Sequence, residues 1–292
     1  MTFYIYLHSG LNNKLVPLVS LLRIAKKENR KIKCYWGEDA YLNNSLFSFI
    51  NLFNNIDNIE FISLNEYMNN FNNKNNKIYN KNGSDRNRNE IIYKKENNDI
   101  VVFHKIVHLI SYKDDNVIDN YFPYPRNNKE VTQIIFEVRD MVKYLKPVEQ
   151  IQSKINYNID KFKNSNVIGI HIRSTDGAFA KIPSKDIFGF IQNLLNKDKH
   201  IKIYISCDDF LLENNIIKQF SDNILYFSNP FGNNYSDKFN RKSWGTMNAV
   251  CEMYILSKCD HFYGTPGSSF SFMVWLLRND KFLEFWCKNP WN

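Results

Sequence analysis

The chain has 292 residues, which exceeds a typical single domain and fits two domains of ordinary size. A hydrophobic fraction of 43%, with 15% aromatic residues, is enough for packed cores and excludes an intrinsically disordered chain. The formal net charge of +8 suits several anionic partners, but no arginine-rich helix, zinc-finger spacing or RNP-like motif supports nucleic acid.

The five cysteines are odd in number and include no C-x-x-C pair, so neither a disulfide framework nor a structural zinc site is expected. No basic leader precedes an apolar stretch at the N-terminus, and no run approaches the roughly 20 apolar residues of a membrane span. We therefore expect a cytoplasmic protein without a membrane span.

The N-terminal residues predict a β-α-β unit. Residues 2–7 are β-branched and aromatic, residues 8–13 have turn character, and residues 14–29 carry apolar side chains at helical spacing. Residues 31–36 supply the next strand. A helix that begins directly after such a loop offers free N–H groups to a phosphate, although an ordinary β-α turn remains an alternative.

The remainder of the first half is less regular. We expect a helix over 41–50, strands over 59–63 and 100–104, and helices over 128–145 and on to about 159. An asparagine- and lysine-rich tract over 68–98 indicates a surface insertion. His104 and His108 stand four apart, but no H-E-x-x-H glutamate accompanies them, so structural histidines are the preferred interpretation over a metal site.

The second half alternates strands with helices. Strands are expected over 167–173, 201–206, 224–227 and 261–263, and helices from residues 184, 209, 246 and 268, a pattern typical of a doubly wound parallel sheet. A last helix is expected over 282–291. The polar segment 160–166 is the best boundary, so we divide the chain into domains 1–160 and 161–292.

Residues 167–176, V-I-G-I-H-I-R-S-T-D, are an apolar run that stops at His171, Arg173 and Asp176. Residues two apart on a strand point to the same face, and open α/β sheets bind ligands beyond the carboxyl ends of their strands. The stretch therefore predicts a buried strand that ends in a binding site. The alternative is an ordinary strand end at which Arg173 pairs with Asp176.

Four segments together resemble a known superfamily. H-I-R-S-T-D resembles the H-x-R-R-x-D motif of the α1,6- and α1,2-fucosyltransferases and the protein O-fucosyltransferases. Residues 203–209, I-Y-I-S-C-D-D, and residues 249–272 are similar to later motifs of the same enzymes, and S-G-L-N-N-K-L near the N-terminus is similar to their glycine–asparagine turn. This resemblance implies an α/β GT-B-like fold, with two Rossmann-like domains facing a central cleft.

The resemblance also implies a function and a set of site residues. It implies transfer of a sugar, L-fucose from GDP-fucose first of all, to a glycan hydroxyl with inversion. The N-terminal domain would be the acceptor side, and the last helix could pack back on it. Arg173 and Asp176 are the implied catalytic residues. The residues implied to bind the nucleotide sugar are Gly10, Asn12, Asn13, His171, Asp208, Glu252, Ser268, Ser269 and Phe270.

Within this set the resemblance implies distinct contacts. Ser268, Ser269 and Phe270 would hold the β-phosphate, and a plain serine N-cap is the alternative. Glu252 and His171 would flank the guanine, although the family has aspartate where Glu252 stands. No D-x-D occurs in the sequence, so no metal and no cofactor besides the donor substrate is expected, and Arg173 would neutralise the leaving diphosphate.

Two departures keep alternatives open. Ser174 stands where the α1,6- and α1,2-enzymes carry a second arginine, so the same fold could use a different nucleotide sugar. The loop 177–185 contains no carboxylate, although the α1,6 enzymes place their proposed base in this loop. Asp176, His8 and Asp39 are the candidates for that base, Asp176 first, although orienting Arg173 is its preferred role. A catalytically silent nucleotide- or sugar-binding module is the remaining alternative.

Overall fold

A computed structural model of the chain describes residues 2–7, 10–37, 49–71, 93–96, 99–103, 108–113, 116–121, 129–174, 183–225, 243–278, 280 and 283–287. The chain divides into two compact units, Met1–Lys146 and Pro147–Asn292. The boundary expected after residue 160 thus lies in front of the helix over residues 149–159, because this helix packs on a later helix of the second unit. The acceptor and donor roles of the units stay predictions.

The first unit is built on a five-stranded sheet in the order β3-β2-β1-β5-β4. Strands β1, β2, β3 and β5 pair in parallel, and β4 runs antiparallel to β5. The strands are β1 (Thr2–Leu7), β2 (Lys31–Trp36), β3 (Ile59–Phe61), β4 (Tyr93–Glu96) and β5 (Asp99–Phe103). The other elements are α1 (Leu11–Lys27), α2 (Leu64–Phe71), the antiparallel hairpin of β6 (His108–Lys113) and β7 (Asn116–Tyr121), and α3 (Lys129–Val142).

Helix α1 forms the centre of this unit and packs against β1, β2, β6 and α3. Its apolar residues are almost completely buried, as the helical spacing predicted, and include Leu15, Leu18, Val19 and Leu22. Arg23 on α1 pairs with Glu137 on α3 at 2.7 Å and joins the two helices at their partly buried edge.

Three expectations for the first unit need correction or fall outside the description. The segment 93–96 of the expected insertion is strand β4, because its backbone groups pair with β5. His108 begins strand β6 and does not lie on a helix. Most of the helix expected over 41–50 lies outside the described residues, and residues 49–51 form a 3₁₀ turn.

The second unit contains a five-stranded, all-parallel sheet in the order β10-β9-β8-β11-β12. The predicted alternation of strands and helices is confirmed, with bounds that shift by a few residues. The strands are β8 (Val167–Ile172), β9 (Lys202–Cys207), β10 (Ile224–Leu225), β11 (His261–Gly264) and β12 (Glu284–Phe285). The helices are α4 (Glu149–Ile159), α5 (Ser184–Lys197), α6 (Phe210–Gln219), α7 (Ser243–Leu256) and α8 (Ser269–Leu277).

The two faces of this sheet differ in chemistry. Ile170 on β8 and Ile205 on β9 point to the face where the isoleucines and leucines of α5 and α6 form the main apolar cluster. Gly169 and His171 point to the opposite face. There Gly169 approaches the end of α7, and His171 contacts α8. The second face therefore carries the polar groups of the strand ends.

The expectation of a helix over 282–291 is wrong for residues 284 and 285. Glu284 and Phe285 form β12, which pairs in parallel with Tyr263 and Gly264 of β11. The free edge of β11 supplies the reason, because its backbone groups need partners that a strand provides and a helix cannot.

Arg278 closes the connection after α8. Its buried guanidinium donates to the carbonyl oxygens of Leu256, Cys259 and Asp260 and pairs with the Asp280 carboxylate. One buried cation thus joins the end of α7 and the residues that follow it to the segment after α8.

All five cysteines are free thiols, and Cys34, Cys251 and Cys259 are buried. Burial raises the pKa of the Cys251 thiol to about 12, and burial also raises the pKa of Cys287 to about 12. In the part of the chain that the structure describes, no helix is long and apolar enough to cross a membrane.

Two glycines should respond in opposite ways to replacement by alanine. A Cβ at Gly169 would stand 2.9 Å from both Cys259 Sγ and Leu256 Cδ2, so Gly169→Ala should destabilise the second unit by about 1–3 kcal/mol. A Cβ at Gly189, exposed on α5, meets nothing within 4 Å, so Gly189→Ala should stabilise by about 0.5–1 kcal/mol. Urea unfolding of both variants measures the difference, and equal shifts would contradict the packing of α7 on β8.

Candidate functional site

The candidate site lies at the carboxyl ends of β8, β9 and β11 in the second unit. Parallel strands end at the same edge of a sheet, so the residues that follow them come together. The structure brings Arg173 to this edge together with Asp208 and the serine-rich turn after β11, which the resemblance implied. Asp176 lies outside the described residues, so its predicted role is untested.

Arg173 is held by a carboxylate from the neighbouring strand. Its Nη1 lies 3.0 Å from Oδ2 of Asp208, and the other carboxylate oxygen of Asp208 accepts a 2.8 Å hydrogen bond from the Ser174 backbone N–H. The Arg173 side chain remains 25% exposed, so part of the guanidinium can be reached by a ligand. Asp208, expected to bind the donor, therefore also orients Arg173, the task that the sequence suggested for Asp176.

Asp209 serves a separate function from its neighbour. Its Oδ1 accepts hydrogen bonds from the N–H groups of Leu211 and Leu212, at 3.0 and 3.1 Å, and caps α6. The two adjacent carboxylates thus point to different partners.

His171 is a buried, neutral group. Its Nδ1 lies 2.7 Å from Oγ of Ser271, and its ring stacks on Phe270 with centroids 4.5 Å apart. Burial, with a smaller contribution from the positive charge of Arg173, lowers the pKa of His171 to about 3. At neutral pH the imidazole therefore acts as an uncharged hydrogen-bonding group and is a poor proton acceptor.

Glu252 on α7 approaches the same edge from the polar face of the sheet. It accepts a 2.8 Å hydrogen bond from Ser206 Oγ, and Ser206 pairs in register with His171 across β9 and β8. Burial raises the pKa of Glu252 to about 7, although the hydrogen bond from Ser206 opposes the shift. Burial and the charge of Glu252 raise the pKa of Glu213, on α6, to about 8. Two buried acidic groups on α6 and α7 thus have raised pKa values, and burial is the first cause of each shift.

The turn between β11 and α8 is shaped by two glycines. Gly267 has φ of 73°, which other residues rarely adopt, and a Cβ on Gly264 would come within 2.8 Å of the Ser271 side chain. Ser268 occupies the N-cap position of α8 but makes no side-chain cap hydrogen bond. Ser269 and Phe270 form the first turn of the helix, where backbone N–H groups lack helical partners. Such N–H groups at a helix start are able to bind an anion.

A second group of predicted residues lies in the first unit. Gly10 is the N-cap of α1, and Asn12 and Asn13 belong to its first turn. Asn12 has an ordinary helical position, because the helix already begins at Leu11. Asn12 is 7% exposed, and its Oδ1 makes no hydrogen bond to any described residue. His8 and Asp39, the other base candidates, lie outside the described residues.

Lys14, in the same first turn, was not singled out by the sequence. It is buried, donates a 2.6 Å hydrogen bond to the Gly37 carbonyl and lies over the Trp36 ring. This ammonium fixes the end of β2 against α1.

Several residues of the second-unit site were also missed. Each of them interacts with a predicted site residue that is distant in the sequence or becomes its neighbour only in the folded chain. These residues are Ser206, Glu213, Thr265, Ser271 and Trp286. A signal existed for Ser271, an isolated hydroxyl in the apolar run F-S-F-M-V-W-L-L, and for Ser206 at the end of an apolar strand. No signal existed for Trp286. Among the described residues, no group of three or more His, Cys, Asp or Glu side chains could hold a metal ion.

Comparisons of sequence find no family model and no curated protein that match the chain. Comparisons of structure find fucosyltransferases. Fucosyltransferase NodZ from Bradyrhizobium is 16% identical, covers 94% of this chain and 92% of its own, and gives a TM-score of 0.59. POFUT1 in complex with GDP-fucose is 10% identical over 98% of each chain, with a TM-score of 0.56. Arabidopsis thaliana FUT1, as a mutant in complex with GDP, is 13% identical over 94% of this chain and 68% of its own, with a TM-score of 0.53. The predicted GT-B fold of the fucosyltransferases is thereby confirmed.

The raised pKa of Glu213 leads to a prediction about stability. Glu213 has an ordinary pKa of 4.5 when unfolded and about 8 when folded, so its contribution to stability is complete below pH 4.5 and is lost as the pH rises through 8. Glu213→Gln mimics the protonated acid. It should be more stable than the wild type at pH 8.5 by on the order of 2 kcal/mol, and nearly equal to it at pH 4.5.

Urea unfolding at the two pH values measures this difference. Glu284→Gln, on the exposed side of β12, is the matched control and should change stability little at either pH. A raised pKa of Glu213 in the folded protein would be refuted if Glu213→Gln showed the same pH dependence as the wild type.

Proposed function

We propose that the chain is a glycosyltransferase that moves a sugar, L-fucose from GDP-fucose first of all, to a glycan hydroxyl, with inversion and without a metal. The observation that carries the proposal is the placement of Arg173 in the second unit. Asp208 holds it at the end of β8, and its backbone N–H bonds to Thr265 in the turn that starts α8. A cation and a helix N-terminus at one strand edge form a site for a diphosphate.

The leaving diphosphate would be stabilised by two kinds of donor. The exposed part of the Arg173 guanidinium can bind phosphate oxygens as a fork, and the first N–H groups of α8 carry the positive end of the helix dipole. Ser268 and Ser269 add hydroxyl groups beside these N–H groups. Such preorganised donors stabilise charge where it develops in the transition state.

The nucleobase would be recognised by Glu252. Its carboxylate can accept hydrogen bonds from N1–H and N2–H₂ of guanine, and only one of its oxygens receives a hydrogen bond from a described residue, Ser206. His171, the register partner of Ser206, presents a neutral imidazole whose Nε2 makes no hydrogen bond within the described residues. Uracil and thymine offer only one N–H donor to such a carboxylate, so guanine fits it best.

In the reaction, an acceptor hydroxyl oxygen attacks the anomeric carbon as the bond from that carbon to the β-phosphate oxygen breaks. GDP leaves with the bonding electrons, and the hydroxyl proton passes to a base. Asp176 is the first candidate for this base, followed by His8 and Asp39.

A second candidate is the same chemistry with another nucleotide sugar. Ser174 supports it, because the hydroxyl stands where the resembling enzymes have an arginine. Its Oγ is buried and makes no hydrogen bond to any described residue, whereas its backbone N–H is bound to Asp208. A sugar hydroxyl or a different phosphate geometry could use this group.

Thermal unfolding in a panel of nucleotides tests the choice of donor. GDP should raise the unfolding temperature more than UDP or dTDP, and Glu252→Gln should remove most of the advantage of GDP, because an amide cannot accept both guanine N–H groups without presenting its own donors. Glu149→Gln, exposed on α4, is the control and should keep the preference. Stabilisation by UDP or dTDP but not by GDP would contradict the GDP assignment.

Arg173→Ala should lower turnover of GDP-fucose by about 10²–10³-fold, because one preorganised donor to the leaving group is lost. Folding should suffer much less, since the side chain is partly exposed at the end of the strand. Arg173→Lys should restore only part of the rate, because a point charge keeps the sign but loses the planar fork. Release of GDP with each acceptor and in plain buffer measures the effect.

The same assay distinguishes the remaining alternatives. Turnover that persists in EDTA is expected, whereas activity that EDTA abolishes and manganese restores would contradict a metal-free reaction. Tight GDP binding without turnover of any donor and acceptor mixture would identify a silent binding module. If Arg173→Ala melted the protein and its folded fraction kept normal turnover, Arg173 would be a structural partner of Asp208.

A further inference from the structure

The Thr265 hydroxyl is a completely buried junction between the ends of β8 and β11. Its Oγ1 donates to the His171 carbonyl at 2.8 Å and accepts from the Arg173 backbone N–H at 3.0 Å and from Trp286 Nε1 at 3.1 Å. A threonine hydroxyl has one donor and two acceptor positions, so these three bonds use all of them.

This junction is needed because the backbone hydrogen bonds between β8 and β11 end before the strand-end residues. The register of β8 with β11 ends at Ile170 and Tyr263, so His171 and Arg173 lie past the last pair. The His171 carbonyl also accepts from Trp286 Nε1 at 3.0 Å, so the single indole N–H is shared between this carbonyl and Thr265 Oγ1. The Thr265 hydroxyl and the Trp286 indole thus replace the backbone hydrogen bonds that β11 would otherwise make with β8 at these residues.

Trp286 owes its position to β12. Phe285 pairs with Gly264, the Trp286 backbone N–H bonds to the Gly264 carbonyl at 3.3 Å, and the indole is only 7% exposed. The segment that follows α8 therefore returns to the edge of the sheet and places one N–H between the ends of β8 and β11.

We propose that Thr265, supported by Trp286, is the positioning residue that fixes the direction of Arg173. Arg173 is then held twice, by Thr265 at its backbone N–H and by Asp208 at its guanidinium. The inference rests on the proposed function, in which Arg173 binds the leaving diphosphate. A reacting group displaced by about 1 Å can cost about 10²-fold in rate, so such an anchor acts on turnover rather than on the bulk of the core.

Three substitutions separate the hydroxyl from the shape of the side chain. Thr265→Val keeps the volume but removes the hydroxyl and should lower turnover of GDP-fucose by about 10²-fold. Thr265→Ser keeps the hydroxyl and should restore most of the rate. Trp286→Phe keeps a buried ring, removes the N–H donor and should give a smaller loss. Thr246→Val makes the same chemical change at a buried threonine of α7 and is the matched control, expected to keep wild-type turnover.

A double-mutant cycle shows whether Thr265 acts through Arg173. If it does, adding Thr265→Val to Arg173→Ala should cost little further turnover, because the group that it positions is already gone. Hydrogen exchange of the segment over residues 167–174 gives a readout that does not depend on activity. Thr265→Val should lose protection there, and Thr246→Val should not.

Wild-type turnover in folded Thr265→Val would overturn the inference, and so would unchanged exchange at residues 167–174 in that variant. Additive losses in the double variant would reduce Thr265 to a general structural role and would also overturn it. If the wild-type protein bound no guanine nucleotide, the proposed function would be contradicted. The proposed role of Thr265 in turnover would then be contradicted as well. The exchange result separately judges whether Thr265 anchors the Arg173 backbone.

Discussion

The second unit depends on how its two central strands end. In a parallel sheet the ladder cannot continue past the shorter strand, and the next backbone groups need partners that do not distort the chain. Here the hydroxyl of Thr265 and the indole of Trp286 supply those partners. The polar side chains at the edge can then converge, because the backbone of β8 pairs with β9 on one side and is held on the β11 side by these two groups.

Local pattern was sufficient for most of the second unit. The apolar runs and helical spacings placed β8, β9, β10, β11 and the helices within a few residues, and Asp209 marked the start of α6. The errors occurred where pairing decides the structure. Glu284 and Phe285 form a strand because β11 has a free edge, and Tyr93–Glu96 forms one because β5 has another. Neither edge can be seen in the local sequence.

The sequence indicated the charged residues and the motif residues of the candidate site. It did not indicate which of these residues would form hydrogen bonds and ion pairs with one another. Arg173 was singled out at the end of an apolar strand and Asp208 by the resemblance to the fucosyltransferases, and the structure joins them. The sequence suggested Asp176 for the same task because it is close along the chain. Adjacent parallel strands bring residues more than thirty positions apart into contact, and Thr265 bridges β8 and β11 over a longer separation still. Such partners follow from the order of the strands, which no single segment encodes.

The thiols of the chain show what close packing does to chemical reactivity. Thiolates, and not thiols, react with oxidants and alkylating agents, so a raised pKa makes a cysteine slow to react. Burial raises the pKa of each of the five, including Cys207 and Cys287, which are only partly covered. Cys259, which follows α7, also packs closely on Gly169, because a Cβ at Gly169 would lie 2.9 Å from its Sγ. The native fold therefore protects its thiols from oxidation and alkylation. Rapid modification of these cysteines would indicate that one of the two units has unfolded.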